Sequence, residues 1–473
     1  MAIANVFNTG RSGMVAAKAA IATTGHNISN ANTEGYSRQR VTTQSANALE
    51  GPGSHVLIGN GTTLSRVDRI NDAYLDKQIR SATKDLSHME EKDTVLRQVE
   101  DVFNEMNGDG LNRLMSRFFN EFRKLSNEPS NEAIRQSVRE AAQSMVNDFH
   151  RVRKEVDEIR RHIDSRIEGY CTEVNATGDE IRNLNIKIGQ LELSGASAND
   201  LLDQRDQLLK KLGTYADLSM HKDSGGAYSV DLKGIGPFLA GPNVERLSVK
   251  SSPADEFGKA EGSLDVYSTG TAGGKITQQL QGGKLGALIE SRDHVLATVI
   301  DRLDELAFQV SEAVNGIHEQ GFTLSGQQGI SFFGPLQQRE RAAEFLTLSE
   351  AVRDNVSNIA TAAQPESPGD NRIAIAISGL QGIPLLNGGA ATVDDWYNSI
   401  VSDVGVATSK NRFGMNQQRD IMAQLGKMRD QISGVSIDEE TANLMQFQHA
   451  FDASAKVIQV ADEMLKTVLE LKR

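Results

Sequence analysis

The sequence predicts a mainly helical, elongated protein with a small β domain inserted between its helical parts. Apolar residues recur every three or four positions over most of the chain, which is the helical period. Residues 213–284 instead hold 13 of the 42 glycines, and apolar residues alternate with polar ones between turn signals, which predicts short antiparallel strands. Both ends of the chain carry apolar residues at heptad spacing, which favours coiled-coil helices there.

Composition limits the classes of function. The chain has 473 residues, 38% apolar and 24% charged, as in a soluble protein of roughly two to four domains. Its net charge of −13 argues against nucleic acid as a main partner. The one cysteine, Cys171, excludes an internal disulfide framework and a multi-cysteine metal site, and we expect it to be a buried helix residue.

Neither a membrane span nor a cleaved signal is predicted. No apolar run reaches the roughly eighteen residues that a spanning helix needs. The first residues, Met1 to Asn5, lack the charged region and apolar core of a cleavable signal peptide. We therefore expect a protein that is cytoplasmic or that leaves the cytoplasm without a cleaved signal.

The N-terminal helix carries two interleaved heptad series. One is apolar, and the other is mostly small and permits close approach of a second helix; the members of the first are Phe7, Met14, Ile21 and Ile28, and those of the second are Ile3, Gly10, Ala17 and Thr24. Residues 1–45 carry four basic residues and one acidic residue, whereas residues 436–473 carry four basic and seven acidic residues. The shared period and the opposite charge predict that the two terminal helices pair.

The C-terminal helix has one apolar seam, which only Ser454 interrupts. Its positions are Leu444, Phe447, Phe451, Ser454, Ile458, Ala461, Leu465 and Val468. The acidic run Asp438-Glu439-Glu440 is interpreted as helix-end charge that suits the helix dipole. The seam alone cannot offset the entropy of ordering the helix, so we expect a mobile tail that becomes helical on assembly. The alternative is a terminal helix docked on its own domain.

The middle of the chain predicts a series of helices and strands. A strand pair is expected within Val56–Val67, and Gly169 and Gly178 are expected to bend the longest helix. The predicted helices cover Tyr74–Met106, Leu111–Leu125, 131–193, Ser197–Leu212, Leu285–Ile317 and Trp396–Ile432. The predicted domains are a terminal coiled coil of residues 1–45 plus 436–473, a helical domain of residues 46–212 plus 285–435, and an outer β domain of residues 213–284.

Motifs for chemistry are missing from the sequence. Gly270–Lys275 is superficially like a phosphate loop, but Ile276 stands where a magnesium-binding Ser or Thr is needed. His26 is interpreted as a hydrogen-bonding residue, and Glu90-Glu91 as a solvated face. We predict no catalytic residue, no cofactor site and no metal site, and therefore a structural protein. The alternative from another class is an enzyme, such as a wall hydrolase carried by the middle region.

Two motifs at opposite ends of the chain resemble the signatures of bacterial flagellar axial proteins, which form the rod, the hook and the hook-associated structures. The first motif is Asn27-Ile28-Ser29-Asn30-Ala31-Asn32-Thr33-x-Gly35-Tyr36. The second runs from Ser436-Ile437-Asp438-Glu439-Glu440-Thr441-Ala442-Asn443-Leu444 through Ala461-Asp462-Glu463-Met464-Leu465.

Within that superfamily, further segments resemble the hook-associated protein 1 family, which joins the hook to the filament. These segments are Tyr36-Ser37-Arg38-Gln39, Leu201–Leu212, Val314-Asn315-x-Ile317-His318-x-x-Gly321 and Gly369-Asp370-Asn371-Arg372. The alternative within the superfamily is a rod or hook subunit, and the Leu201–Leu212 segment argues against it.

The resemblance implies a protein that is exported through the flagellar type III apparatus and forms a ring at the hook–filament junction outside the cell. The implied partners are the hook protein, the second junction protein, further copies of the chain, and a cytoplasmic export chaperone at the C-terminal helix. Neither nucleic acid nor a membrane is an expected partner. The predicted interaction residues are Phe7, Met14, Ile21, Asn27, Ile28, Asn30, Asn32, Gly35 and Tyr36 at one end, and Leu444, Phe447, Phe451, Ile458, Ala461, Leu465 and Val468 at the other.

Overall fold

The structure, a computed structural model, describes residues 2–47, 49–50, 57–103, 110–222, 228–251, 263–270 and 274–470. It confirms a mainly helical protein with an inserted sheet-containing region. The helices before the insert are α1 (Ala2–Ser29), α2 (Ala73–Val102), α3 (Leu111–Asn127), α4 (Glu132–Leu193) and α5 (Asn199–Tyr215).

Polar side chains fix where two of these helices begin. The Asp72 carboxylate accepts hydrogen bonds from the first amides of α2, and the Asn131 side chain accepts one from Ala133 N at 3.0 Å at the start of α4. The four bounds of α3 and α4 agree with the sequence prediction to within two residues. The expected end of α2 at Met106 and the stop signal at Asn107–Asp109 lie outside the described residues.

The strand pairing before α2 differs from the prediction. Strand β1 (Gln39–Ser45) pairs antiparallel with β4 (Thr62–Arg69), and the short β2 (Leu49–Glu50) pairs with β3 (Leu57–Ile58). The strand expected within Val56–Val67 is therefore present, but its partner lies earlier in the chain. The β-branched residues of β1 form a suitable strand that the sequence prediction missed.

Short strands form the insert, as predicted, and the described residues contain seven of them. They are β5 (Leu218–Lys222), β6 (Tyr228–Leu232), β7 (Gly236–Ala240), β8 (Asn243–Val244), β9 (Leu247–Ser251), β10 (Leu264–Ser268) and β11 (Gly274–Lys275). Within the described residues they form two antiparallel sheets, ordered β5-β6-β7-β8 and β9-β10-β11. Both sheets contribute to the buried cluster that also contains the apolar face of α4.

Gly178 lies where α4 meets the insert. A Cβ atom at this position would approach the Phe238 ring to 2.8 Å and a Val244 methyl to 3.1 Å. Helix α4 continues through Gly169 and Gly178 without interruption. The glycine at 178 therefore permits close packing of the sheet, a role that we had not predicted for it.

The chain returns to helix after the insert. The segment predicted as one helix over Leu285–Ile317 contains α6 (Gly283–Glu290), a π-helical stretch (Ser291–Leu296) and α7 (Ala297–His318). The loop-rich segment that follows carries α8 (Ala342–Phe345), α9 (Glu350–Asp354) and α10 (Arg372–Gly379). The last two helices are α11 (Val393–Ser433) and α12 (Ile437–Glu470).

Aromatic residues join the loop-rich segment to the helices. Phe332 and Phe333 are fully buried, and their ring centroids lie 5.4–5.9 Å from those of Phe118 and Phe122 on α3. The Asn315 side chain on α7 accepts hydrogen bonds from the Phe332 and Phe333 amides at 3.0 and 2.8 Å. These contacts pack Phe332 and Phe333 into the core, and they give the Asn315 motif a structural role.

Candidate functional site

The two terminal helices pair with each other. Helices α1 and α12 run antiparallel, because Gly13 near the start of α1 faces Ser454, whereas Asn27 near its end contacts Glu440 at the start of α12. Glycine lets the two backbones approach closely: a Cβ atom at Gly10 would lie 2.8 Å from Ile458 Cγ1 and 3.2 Å from the Ser454 carbonyl oxygen. The pairing of the two ends is the contact that their shared period predicted.

The small residues of α1 form its buried face. Gly10, Ala17 and Thr24 are buried where α1 meets α12. In the other series, Phe7 is 40% exposed, and Met14, Ile21 and Ile28 are half-buried beside the contact. The structure therefore places the second of the two interleaved series against α12. Ser454, which interrupts the apolar seam, fits here because its hydroxyl faces Gly13 at the point of closest approach.

Most of the C-terminal seam faces α1. Ala461 is fully buried, and four other seam residues are half-buried: Leu444, Phe447, Phe451 and Ile458. Leu465 and Val468 are 42% and 51% exposed. The antiparallel register explains the difference, because it brings the first residues of α1 opposite Leu465 and leaves Val468 beyond the end of the partner helix.

Asn27 is the centre of a buried polar network where α1 ends. Its amide nitrogen donates to the Gln39 carbonyl at 2.9 Å and to Glu440 Oε2 at 3.0 Å. Its amide oxygen accepts from the Tyr36 hydroxyl at 2.8 Å and from Gln39 N at 3.0 Å. The side chain is 1% exposed, and these four bonds use its full capacity. Asn27 thus connects α1, the turn after it and α12.

Glu440 joins the C-terminal helix to the same network. Arg38 Nε donates to Glu440 Oε1 at 2.7 Å, Arg38 Nη1 donates to Glu439 at 3.0 Å, and Arg38 N donates to the Ser433 carbonyl at 2.9 Å. Glu440 lies in the first turn of α12, as its interpretation as helix-end charge requires. It is also 2% exposed, so it is in addition a buried partner of Asn27 and Arg38, a role that the sequence prediction missed. The signal was available, since Arg38 and Glu440 both lie in the segments that carry the resemblance.

Helix α5 holds the turn after α1 from the other side. Asp203 accepts hydrogen bonds from Ser37 N and Arg69 Nη1, both at 2.9 Å. Burial raises the pKa of Asp203, although these bonds and the charge of Arg69 oppose the rise. The Gln207 side chain donates to the Glu34 carbonyl. These contacts explain why the Leu201–Leu212 segment and the N-terminal motif occur together: each binds the other.

The remaining motif residues shape the turn. Gly35 has φ +79°, and a Cβ atom there would collide with Gln207. Asn30 donates to the His26 carbonyl at 3.0 Å, whereas Asn32 is exposed. His26 Nδ1 lies 3.0 Å from the Tyr36 hydroxyl, in the hydrogen-bonding role that we predicted. Burial and the charge of Asp200 raise the pKa of Tyr36, which therefore remains a donor.

The groups considered for chemistry have structural partners. Cys171 is buried, and burial raises its pKa to about 12. Glu91, interpreted as part of a solvated face, is instead buried and accepts from the Tyr170 hydroxyl at 3.1 Å. In the described part of the chain, no group of three potential metal ligands converges. Residues 271–273, in the loop that was compared with a phosphate loop, lie outside the described residues.

None of the described helices combines the length and the apolar character that crossing a bilayer requires.

Three family models match successive parts of the chain. The model of the flagellar hook-associated protein FlgK helical domain matches residues 96–333. The flagella basal body rod protein model matches residues 7–36, and the C-terminal model of the flagellar basal body rod FlgEFG proteins matches residues 430–471. The two terminal matches contain residues 7–29 of α1 and all of α12, and the central match contains α3, α4, α5 and the insert.

Comparisons over the whole length of the chain find relatives from the same group of flagellar proteins. Flagellar hook-associated protein 1 of Bacillus subtilis (strain 168) is 29% identical, over 98% of this chain and 97% of the relative. The protein of the same name from Escherichia coli (strain K12) is 26% identical, over 99% and 100%. The structure of the flagellar hook junction protein FlgK from Burkholderia pseudomallei shares the fold, with a TM-score of 0.67 and 16% identity over 75% of this chain and 100% of that one.

The central model covers half of the chain, and it lies between the two terminal helices that form the network around Asn27. The chain therefore belongs to the family of flagellar hook-associated proteins that contain the FlgK helical domain, and it is a structural component of the bacterial flagellum.

Proposed function

We propose that copies of this chain form the ring that joins the hook to the filament, and that the paired terminal helices build the ring. The observation that carries the proposal is the α1–α12 pair, closed at one end by the Asn27–Glu440 bond and exposing apolar residues at the other. The relatives named hook-associated protein 1 and the structure of a hook junction protein support the same position in the flagellum.

Folding of the terminal helices is proposed to be coupled to assembly. Among the described residues, none from α1 or α12 belongs to the large apolar cluster that stabilises the rest of the molecule. Seam residues Leu465 and Val468 are exposed in the single chain. A helix pair with so little core gains stability when neighbouring subunits cover it.

The proposed division into domains keeps the boundaries predicted from the sequence. The terminal coiled coil, residues 1–45 plus 436–473, would form the inner tube, and the helical domain, residues 46–212 plus 285–435, would pack laterally. The β domain, residues 213–284, would face outward. The separate apolar cluster of the body supports the first boundary.

The proposed function includes a route of export and a set of binding partners. The chain would leave the cytoplasm through the flagellar type III apparatus without a cleaved signal, and an export chaperone would cover the seam of α12 until then. Outside the cell, its partners would be the hook protein, the second junction protein and further copies of the chain. Its role would be structural and would need no cofactor.

Deletion of the gene in the bacterium that encodes this chain tests the position in the flagellum. We expect hooks of normal length without filaments, and filament protein released into the medium. An antibody against the chain should label the boundary between hook and filament in cells that produce it. Loss of the hooks themselves would indicate a rod or hook subunit, and intact filaments in the deletion strain would refute the proposal.

A further inference from the structure

The segment between α10 and α11 presents an Asn-Gly dipeptide at the surface. Asn387, Gly388 and Gly389 all have positive φ, of 52°, 65° and 86°, and Gly389 N donates to the Leu386 carbonyl at 3.1 Å. This is the pattern of a turn whose two central residues are left-handed, a conformation that Asn-Gly adopts with little strain. Asn387 and Gly388 are both exposed. The turn thus holds an asparagine side chain in water next to a glycine amide.

The fold leaves both of these groups free. Within the described residues, neither the Asn387 side chain nor the Gly388 amide makes a hydrogen bond, whereas the amides of residues 389–391 all donate to the Leu386 carbonyl at 3.0–3.1 Å. A Cβ atom at Gly388 would meet nothing within 4 Å, so the space around its backbone is open. A backbone amide with no partner in the protein is found where water can reach it. The glycine nitrogen is therefore accessible to the side chain of the residue before it.

We propose that Asn387 is a site of spontaneous deamidation in the folded protein. The Gly388 nitrogen attacks Cγ of Asn387, so that an N–Cγ bond forms and the bond from Cγ to Nδ2 breaks. The proton of the glycine amide leaves with Nδ2 as ammonia. Water then opens the cyclic imide at one of its two carbonyl carbons and gives aspartate or isoaspartate at position 387.

The balance of this reaction requires only water. The two steps together exchange ammonia for water, and no oxidant or reductant is consumed. The first step benefits from proximity, because the attacking and attacked atoms belong to adjacent residues. The product adds a negative charge to a surface turn, and the reaction does not depend on the proposed position of the chain in the flagellum.

Helix α7 contains the same dipeptide in a setting that opposes the reaction. Asn315 is 6% exposed. Its side chain accepts from the Phe332 and Phe333 amides and donates to the Phe333 carbonyl at 3.1 Å. Gly316 lies within α7, where a helical amide donates to the carbonyl four residues earlier. Cyclisation here would break these side-chain bonds and the helix, so a difference in rate between the two sites reports the effect of the fold.

Peptide mass spectrometry of the purified chain, incubated at mildly alkaline pH, measures both sites in one sample. Trypsin cuts after lysine and arginine, and it releases residues 373–410 and residues 303–339 as separate peptides with one Asn-Gly dipeptide each. In the folded chain, we expect Asn387 to convert at least about tenfold faster than Asn315. In the chain unfolded by urea, the two rates should become similar, because local sequence alone then determines them.

The matched control is Asn387→Gln. The longer side chain would have to close a larger ring, so the peptide of residues 373–410 should keep its mass, while conversion of Asn315 should be unchanged. A gain of mass that persists in this variant would come from another residue of the peptide and would contradict the assignment to Asn387.

Two further outcomes would refute the proposal. One is an equal rate at Asn387 and Asn315 in the folded chain, or no conversion of Asn387 over a period in which the unfolded chain converts. The other is an excess at Asn387 that stays the same after unfolding, because the residues next to it in the sequence, and not the fold, would then set the rate.

Discussion

Glu439 and Glu440 are adjacent on α12 and both contact Arg38, but their environments differ. The Glu440 side chain is 3% exposed and also binds Asn27, whereas that of Glu439 is 65% exposed. An ion pair at the surface contributes little, because water competes for both charges. A buried carboxylate whose partners would otherwise lack an acceptor contributes much more.

The adjacent pair gives a matched test of the network. We expect Glu440→Ala to destabilise the attachment of α12 by about 2–4 kcal/mol, because Arg38 and Asn27 each lose an acceptor in a buried setting. Glu439→Ala should change stability by no more than about 0.5 kcal/mol. Amide hydrogen exchange of α12 in flagella assembled from each variant measures the difference, because α12 is expected to exchange fast in the free monomer. Equal effects of the two substitutions would contradict the role given to Glu440.

His318 makes the stability of the body sensitive to acid. Its ring is fully buried, with Nδ1 2.6 Å from the Ile330 carbonyl oxygen and Nε2 accepting from Ala360 N at 2.8 Å. Burial lowers the pKa of His318 from 6.5 to about 4. In this pH range the unfolded chain therefore binds the proton before the folded chain does, and the neutral ring stabilises the fold.

The sign of the pH dependence follows from that order of protonation. The contribution of His318 should be fully present above pH 6.5 and fall by about 3 kcal/mol as the pH drops towards its folded pKa of about 4. Urea unfolding at several pH values measures it, and His318→Gln, which cannot titrate, should lose this part of the dependence. Parallel pH curves for the natural chain and the variant would contradict the assignment.

At the scale of elements, α1 depends on the absence of side chains at its contact with α12. Alanine normally stabilises a helix relative to glycine by roughly 1 kcal/mol. We expect Gly10→Ala to destabilise the helix pair by about 1–3 kcal/mol, because its Cβ atom would lie 2.8 Å from Ile458 Cγ1. Gly25→Ala, where a Cβ atom meets nothing within 4 Å, should instead stabilise α1.

Thermal stability and amide exchange of α1 and α12 in assembled flagella distinguish the two glycines. The double variant Gly10→Ala with Ile458→Ala removes the clashing carbon and should recover part of the loss. A stabilising effect of Gly10→Ala would mean that the two helices are further apart than the structure shows.

At the scale of the whole molecule, the terminal pair and the body have separate apolar contacts. We expect Ile458→Asp to open the α1–α12 pair and leave unfolding of the body unchanged, because Ile458 packs against Gly10 and not against the body cluster. Phe451→Asp, at a half-buried seam position, should act in the same way. The control is Leu465→Asp, which should leave the pair within one chain intact, since Leu465 is exposed.

Assembly is expected to depend on the whole seam. All three should lower binding of the export chaperone or incorporation into flagella, since all three place a charge on the seam. Loss of the cooperative unfolding of the body in Ile458→Asp would contradict the separation of the two parts.

Exchange on the purified natural monomer tests folding upon assembly. We expect fast amide exchange in residues 1–45 and 436–473 beside a protected body, because so few apolar contacts hold the terminal helices in one chain. Slow exchange at both ends would show that the pair is already stable in the monomer. Assembly-coupled folding would then be excluded, while membership of the family would be unaffected.

The sequence by itself determined most of the helices and the inserted strands, because apolar periodicity and turn residues are local signals. It also indicated the pairing of the two ends, since both carry the same heptad period. Only the tertiary structure decided which face of α1 meets α12, since two heptad series fit the same helix and the choice depends on how closely the backbones approach at Gly10 and Gly13. It also decided that β4 pairs with β1 and that Glu440 is buried. Strand partners and the burial of a charge depend on residues far away in the chain, and no local pattern contains them.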